Sequence, residues 1–69
     1  MKKSLSELIR ELERELATRR RVYPDWIRQH KLQSHTSEHR IACIEQTIEH
    51  MKKLEHLEQA SKEIHDAAH

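Results

Sequence analysis

The segment from residue 19 to residue 31 holds the side chains best suited to recognising an anion or a partner protein. It reads Arg-Arg-Arg-Val-Tyr-Pro-Asp-Trp-Ile-Arg-Gln-His-Lys and contains the chain's single Tyr, Trp and Pro. Guanidinium groups bind phosphates bidentately, and aromatic faces stack on bases. Arg, Trp and Tyr are also enriched at the hot spots of protein interfaces. The candidate contact residues are therefore Arg19, Arg20, Arg21, Tyr23, Trp26, Arg28 and Lys31.

Three interpretations of this segment stay open at the level of sequence. Consecutive arginines point in different directions around a helix, so they form no single patch by themselves. Tyr23 and Trp26 could simply pack against Ile41 and Ile44 as a plug at one end of the fold. Otherwise the segment binds a partner protein, or it holds an anionic nucleotide or a nucleic acid. A net charge of only +1 weighs against the last of these.

The arginine–aromatic motif resembles one found in small helical proteins encoded in phages and prophages. Those sequences read roughly Arg-Arg-x-Val-Tyr-Pro-x-Trp-Val, then Gly-Arg-Leu, then Ile-Ala-x-Met-Glu. The matching residues here are 19–27, 30–32 and 41–45. The resemblance implies a phage accessory protein acting in a bacterial cytoplasm, with no established activity and no site residues to carry over. Since His30 stands where those proteins have Gly, we expect the first helix to be capped differently.

Two further patterns use residues that bind metals or react as nucleophiles. Residues 35–39, His-Thr-Ser-Glu-His, match the inverted zincin motif, and His65 and His69 repeat its four-residue spacing. A catalytic zinc site needs a third protein ligand and a cleft, so we interpret all of these as solvated helix surface and predict no metal or cofactor. Cys43 is expected to be a small buried hydrophobic residue. A single Cys also favours a reducing, cytoplasmic location.

Composition limits what can position these groups. The 69 residues include no Gly and no Phe, and 36% of them are charged. A chain this short forms one small domain with little core, and it has no Gly-rich phosphate loop. We predict neither a membrane segment nor an enzyme, because two helices supply no pocket and no credible pair of nucleophile and base.

The first helix is predicted over residues 4–30. Ser4 and Glu7 have the spacing of a capping box, in which each side chain bonds to the other's backbone N–H. One apolar stripe follows at helical spacing, made of Leu5, Leu8, Ile9, Leu12 and Leu16. Pro24 leaves two outcomes open: the helix kinks there and continues, or it breaks and Pro24 starts a short helix to about His30.

A turn is predicted at residues 31–35, with Leu32 as its apolar plug and with Ser34, Thr36 and Ser37 as possible N-caps. The second helix is predicted over residues 34–66. Its stripe consists of Ile41, Ile44, Ile48 and Met51, and it continues through Leu54, Leu57, Ile64 and Ala68 after one shift of phase.

The predicted fold is an all-α antiparallel helical hairpin. Residues 1–31 carry nine Lys/Arg and five Asp/Glu, a net charge of +4, whereas residues 32–69 carry four and seven, a net charge of −3. Each helix keeps part of its stripe in water, so we expect a homo-oligomer, a dimeric four-helix bundle. The alternative is a hairpin that docks on a different protein. Residues past Leu57 have no first-helix partner and should fray or pack on another chain.

Overall fold

Two long helices account for nearly all of the residues that the structure describes. The structure is a computed structural model that describes the backbone of residues 2–67 and the side chains of residues 2–62. Helix α1 is Leu5–Arg28 and helix α2 is Ser34–Ala67. They run antiparallel, because Ser6 contacts Glu55 while Arg20 pairs with Glu45 nearer the connection. No strand occurs within residues 2–67, so the predicted all-α hairpin is confirmed.

Helix α1 starts as its sequence predicts. Ser4 is the N-cap, with extended backbone at φ −74° and ψ 159°. The backbone N–H of Glu7 donates to Ser4 Oγ at 3.2 Å, and the backbone N–H of Ser4 donates to Glu7 Oε2 at 3.4 Å. The capping box therefore satisfies two backbone donors that have no partner within the helix.

The helix does not break at Pro24. Helix α1 passes through Pro24 and ends four residues later at Arg28, so the predicted alternative of a separate short helix is wrong. A proline inside a helix removes one backbone hydrogen bond and costs about 3 kcal/mol relative to alanine. Tyr23, the residue before it, is 3% exposed and is the most buried hydrophobic side chain described. Packing of Tyr23 holds the helical path that Pro24 disfavours.

The connection between the helices, residues 29–33, comes two residues earlier than predicted, and its second residue is a histidine in the left-handed region. His30 has φ 57°. Its N–H donates to the carbonyl of Ile27 at 3.0 Å, and the N–H of Lys31 donates to the carbonyl of Trp26 at 2.8 Å. These two bonds form a Schellman motif, which usually has Gly at the left-handed position. The expectation of a different cap is therefore wrong: His30 adopts the conformation that Gly would.

Helix α2 begins without the predicted side-chain caps. Its first helical residue is Ser34, so the N-cap position belongs to Gln33, whose carbonyl accepts from the N–H of Ser37 at 3.0 Å. Ser34 and Ser37 lie inside the first turn, and the prediction that one of the Ser or Thr residues caps the helix is wrong. Leu32, the residue predicted to be the apolar plug of the turn, is half-buried.

A short apolar seam holds the helices together. Ile9, Leu16 and Ile48 are its buried residues, and the half-buried residues packed on them are Leu12, Ile41, Ile44 and Met51. The stripe of α2 leaves this seam after Met51, because steps of three residues turn each side chain about 60° further around the helix. Leu54 and Leu57 are consequently 48% and 63% exposed, and the prediction that they continue the seam is wrong. Ile64 and Ala68 lie outside the residues whose side chains are described.

The molecule is long and thin. Its extents are 60 × 23 × 16 Å and its radius of gyration is 17.0 Å. A compact domain of this length would have a radius of gyration of about 11 Å. Within residues 2–67, neither helix is apolar enough over a sufficient length to cross a membrane.

Candidate functional site

The three consecutive arginines point in three directions. Arg19 Nε donates to Glu15 Oε1 on its own helix at 2.8 Å. Arg20 reaches across to Glu45 on α2, with Nη2 to Oε2 at 3.1 Å. Arg21 is exposed and makes no ion pair with any described residue. The structure therefore separates these candidates instead of joining them in one cationic patch.

The other two candidate cations are the last residue of α1, Arg28, and Lys31 in the connection that follows. The Arg28 guanidinium pairs with the carboxylate of Asp25, one turn earlier on the same helix. The charge of Arg28 is therefore already matched within α1. Lys31 is exposed in the connection and has no carboxylate partner among the described residues. Arg21 and Lys31 are therefore the two predicted cations that make no ion pair with a described residue.

The two aromatic residues have different environments. Tyr23 is 3% exposed, whereas Trp26 is 41% exposed. Their ring centroids lie 5.6 Å apart, with the ring planes tilted by 39°. Tyr23 thus belongs to the interior of the hairpin, as the plug interpretation supposed, while Trp26 presents part of its indole to solvent. The sequence analysis gave Tyr23 and Trp26 the same candidate roles, whereas the structure buries the first and exposes the second.

Arg19 lies beside Tyr23 as well as Glu15. The hydrogen bond to Glu15 is the main cause that raises the pKa of Arg19 above its ordinary value, and the neighbouring Tyr23 adds to it. The hydrogen bond to Glu15 directs the Arg19 guanidinium along its own helix.

A shallow open groove of about 560 Å³ connects these residues with α2, and we name it the tip groove. Its α1 wall includes Arg19, Val22, Tyr23 and Trp26, and its α2 wall is Arg40. Arg40 is exposed and forms no ion pair with the residues whose side chains are described. The groove thus offers an exposed indole and a guanidinium free to bind, both on helical backbone.

Sequence reasoning missed Arg40, although a signal for it exists. Arg20 pairs with Glu45, so in this hairpin residues whose numbers sum to about 65 lie at the same level. By that register Arg40 belongs beside Trp26 and Asp25. Finding it needed only the position of the turn and the antiparallel pairing.

The opposite broad side of the hairpin, the charged face, is held by ion pairs between the helices. Arg20 pairs with Glu45, and Lys52 Nζ lies 3.6 Å from Glu13 Oε2. These residues also line a concavity of about 440 Å³. Since its charges are already matched across the helices, this face offers a ligand less than the tip groove does.

The histidine motif does not gather a metal site. His39 Nε2 lies 3.5 Å from Cys43 Sγ, one turn along α2. Among the described residues, no cluster of three or more His, Cys, Asp or Glu side chains could hold a metal ion. The pair His65 and His69 lies outside the residues whose side chains are described. Cys43 is exposed, so the prediction that it is buried is wrong; it sits 100° around the helix from half-buried Ile44.

Comparisons with family models, with curated proteins and with solved structures give no match to this chain. The site is therefore interpreted from its own geometry.

Proposed function

We propose that this protein is a non-enzymatic interaction protein that binds a partner protein through the tip groove. The observation that carries the proposal is the exposed indole of Trp26, three residues from the buried Tyr23. A large aromatic side chain left in water on a rigid helix, beside an arginine, has the composition of an interface hot spot. The matching surface on the partner is an apolar side chain next to a carboxylate.

The free charge of Arg40 supports an acidic partner. Arg19 is paired with Glu15, whereas Arg40 makes no ion pair with the residues whose side chains are described. A carboxylate from the partner would pair with Arg40, and Trp26 would be covered at the same time. The surrounding positive charge would also speed association at low salt.

The resemblance to phage and prophage proteins gives this proposal its setting. An accessory protein of a phage acts in a bacterial cytoplasm, and a component of host defence or replication is a suitable target. This setting depends on the arginine–aromatic motif alone, so it stands or falls separately from the groove.

The decisive experiment is capture of proteins from a bacterial host lysate, followed by intact-mass analysis of what co-purifies. We expect Trp26→Ala and Arg40→Glu each to abolish capture while the helical circular dichroism stays unchanged. Arg21→Glu is the matched control, because Arg21 is also exposed but lies outside the groove. Capture that survives both groove variants contradicts the proposal, and so does a Trp26→Ala protein that melts, since Trp26 would then be core.

Binding of an anionic nucleotide or a nucleic acid is the second candidate, and the same two residues favour it. Arg40 would hold a phosphate and the exposed face of Trp26 would stack on a base. Tyr23 cannot stack in this way because its ring is covered, and Arg19, Arg20 and Arg28 already pair with carboxylates. Titration with single-stranded DNA, RNA and a nucleotide mixture tests this candidate. Affinity that falls steeply with salt supports it, and no binding at low salt excludes it.

A further inference from the structure

The end of the hairpin far from the connection leaves its apolar side chains uncovered. We call residues 4–12 and 51–62 the open end. Among residues 2–62, four large apolar side chains are exposed, and three of them belong to the open end, namely Leu8, Leu54 and Leu57, with Trp26 the fourth. Helical geometry puts Leu8 and Leu54 on the side of the hairpin opposite the charged face. Leu57 lies about 60° around α2 from Leu54, at the edge of that opposite side. Half-buried Leu12 and Met51 lie between them.

Helix α2 also extends beyond the start of α1 at this end. Ser6 contacts Glu55, and the concavity that these two line reaches no further along α2 than Gln59. Helix α2 continues to Ala67, so about two turns, roughly 12 Å, extend beyond α1. Most helical stability in proteins comes from tertiary packing, so a partner that covers these last turns would stabilise them.

The surface area of the chain matches that of a subunit better than that of a monomer. Its accessible area is 5916 Å². A folded monomer of this mass has about 4,600 Å², which leaves an excess of roughly 1,300 Å². A stable interface buries about 800 Å² on each partner. The excess is therefore sufficient for one interface with one further chain.

We propose that a second copy of this chain covers the open end, in a twofold dimer whose open ends overlap and whose connections point away from each other. The twofold axis passes between Leu54 and Leu57, so that Leu54 of each copy packs on Leu57 of the other and Leu8 of each copy is covered. Helix α2 then runs antiparallel to its counterpart. Its last two turns, residues 60–67, lie over residues 44–51 of the second copy. This contact is isologous and closed, so it does not propagate.

Charge favours this orientation over one with both connections at the same end. Residues 19–40 carry six Lys/Arg and two Asp/Glu, a net charge of +4. The reverse orientation would place two such regions side by side. The proposed dimer separates them and leaves both tip grooves open, so it does not depend on the proposed function and can fail or succeed separately.

Sedimentation equilibrium of the full chain from micromolar to millimolar concentration tests the association. We expect a mass that rises from 8.4 kDa to twice that value and no further. Leu54→Glu and Leu57→Glu should each weaken the dimer at least about a hundredfold, because each buries a carboxylate among apolar groups. The control His56→Glu, exposed on the charged face, should leave the dimer intact. If Leu54→Glu loses helicity, Leu57→Glu decides, since Leu57 is the more exposed of the two.

Spin labels at the connection test the orientation. In a Cys43→Ser background, Lys31→Cys carries one label on each copy, and the two labels should lie roughly 60–70 Å apart by pulsed electron spin resonance. A distance under roughly 30 Å would mean that the connections are adjacent and would overturn the proposal. A strictly monomeric chain at millimolar concentration would overturn it as well, as would a dimer indifferent to Leu57→Glu.

Discussion

The tip of the hairpin, residues 19–40, and its open end differ in a way that local sequence preferences do not explain. The open end starts with a complete capping box and a regular stripe of leucines, yet it leaves Leu54 and Leu57 in water. The tip contains a proline within a helix and a histidine with positive φ, yet it buries Tyr23 almost completely. The connection keeps the helices together at the tip. Tyr23 can therefore pack there despite the conformational cost of Pro24 and His30. At the open end no turn joins the helices, and they are held by the Ser6–Glu55 contact and by the seam residues Ile9, Leu12 and Met51.

The largest effect should come from removing the side chain that makes the tip compact. Tyr23→Ala is expected to lower the free energy of unfolding by about 3–4 kcal/mol, because it leaves a cavity where the helices meet. Leu57→Ala, the counterpart at the open end, should change monomer stability by less than about 0.5 kcal/mol. Urea denaturation at one low protein concentration measures both. Equal losses for the two variants would remove the contrast between the regions.

The sequence was sufficient for the regular part of the fold. Capping by Ser4 and Glu7 and the spacing of Ile41, Ile44 and Ile48 are local patterns, and the structure shows both. The sequence was not sufficient to predict the exposure of Leu54. Leu54 continues the apolar pattern of α2, but whether its side chain is covered depends on where α1 lies. Cys43 fails in the same way: its type predicts burial, and its angle around α2 decides against it.

The candidate site shows the same division between local and long-range information. The arginine and aromatic residues were visible as types, and their divergence around the helix follows from a period of 3.6 residues. The burial of Tyr23 follows from the same period once α1 is known to run unbroken to Arg28, because Tyr23 lies seven residues after Leu16 and fourteen after Ile9. Arg40 lies 14 residues from Trp26 along the chain, and it enters the groove only once the helices are paired.

Replacing Pro24 is the next test of the difference between the tip and the open end, and it should raise the free energy of unfolding where Tyr23→Ala lowers it. If packing of the tip outweighs the local cost of the proline, Pro24→Ala should raise the free energy of unfolding by about 2 kcal/mol. The gain of about 3 kcal/mol in helix preference is reduced by up to about 1 kcal/mol, because alanine frees the unfolded chain. Urea denaturation measures the change, with Arg21→Ala as an exposed control on the same helix. No gain would mean that the helix at Tyr23 is already unstrained.

The smallest expected effect is at His30, and it isolates the backbone from the side chain. A non-glycine residue in the left-handed region is disfavoured, because its Cβ crowds the following carbonyl oxygen. His30→Gly removes this crowding and retains both hydrogen bonds of the Schellman motif, so it should raise the free energy of unfolding by about 0.5–1 kcal/mol.

His30→Ala separates two explanations of such a gain. Alanine removes the imidazole but keeps Cβ, so its stability should stay within about 0.3 kcal/mol of the parent chain, whereas the β-branched His30→Val should be destabilised. Thermal unfolding followed by circular dichroism resolves these differences in a chain of 69 residues, where 1 kcal/mol shifts Tm by about 4–8 °C. If Ala and Gly stabilise equally, the imidazole and not the backbone carries the cost. The tip would then be locally unstrained at this position, and its contrast with the open end would rest on Pro24 alone.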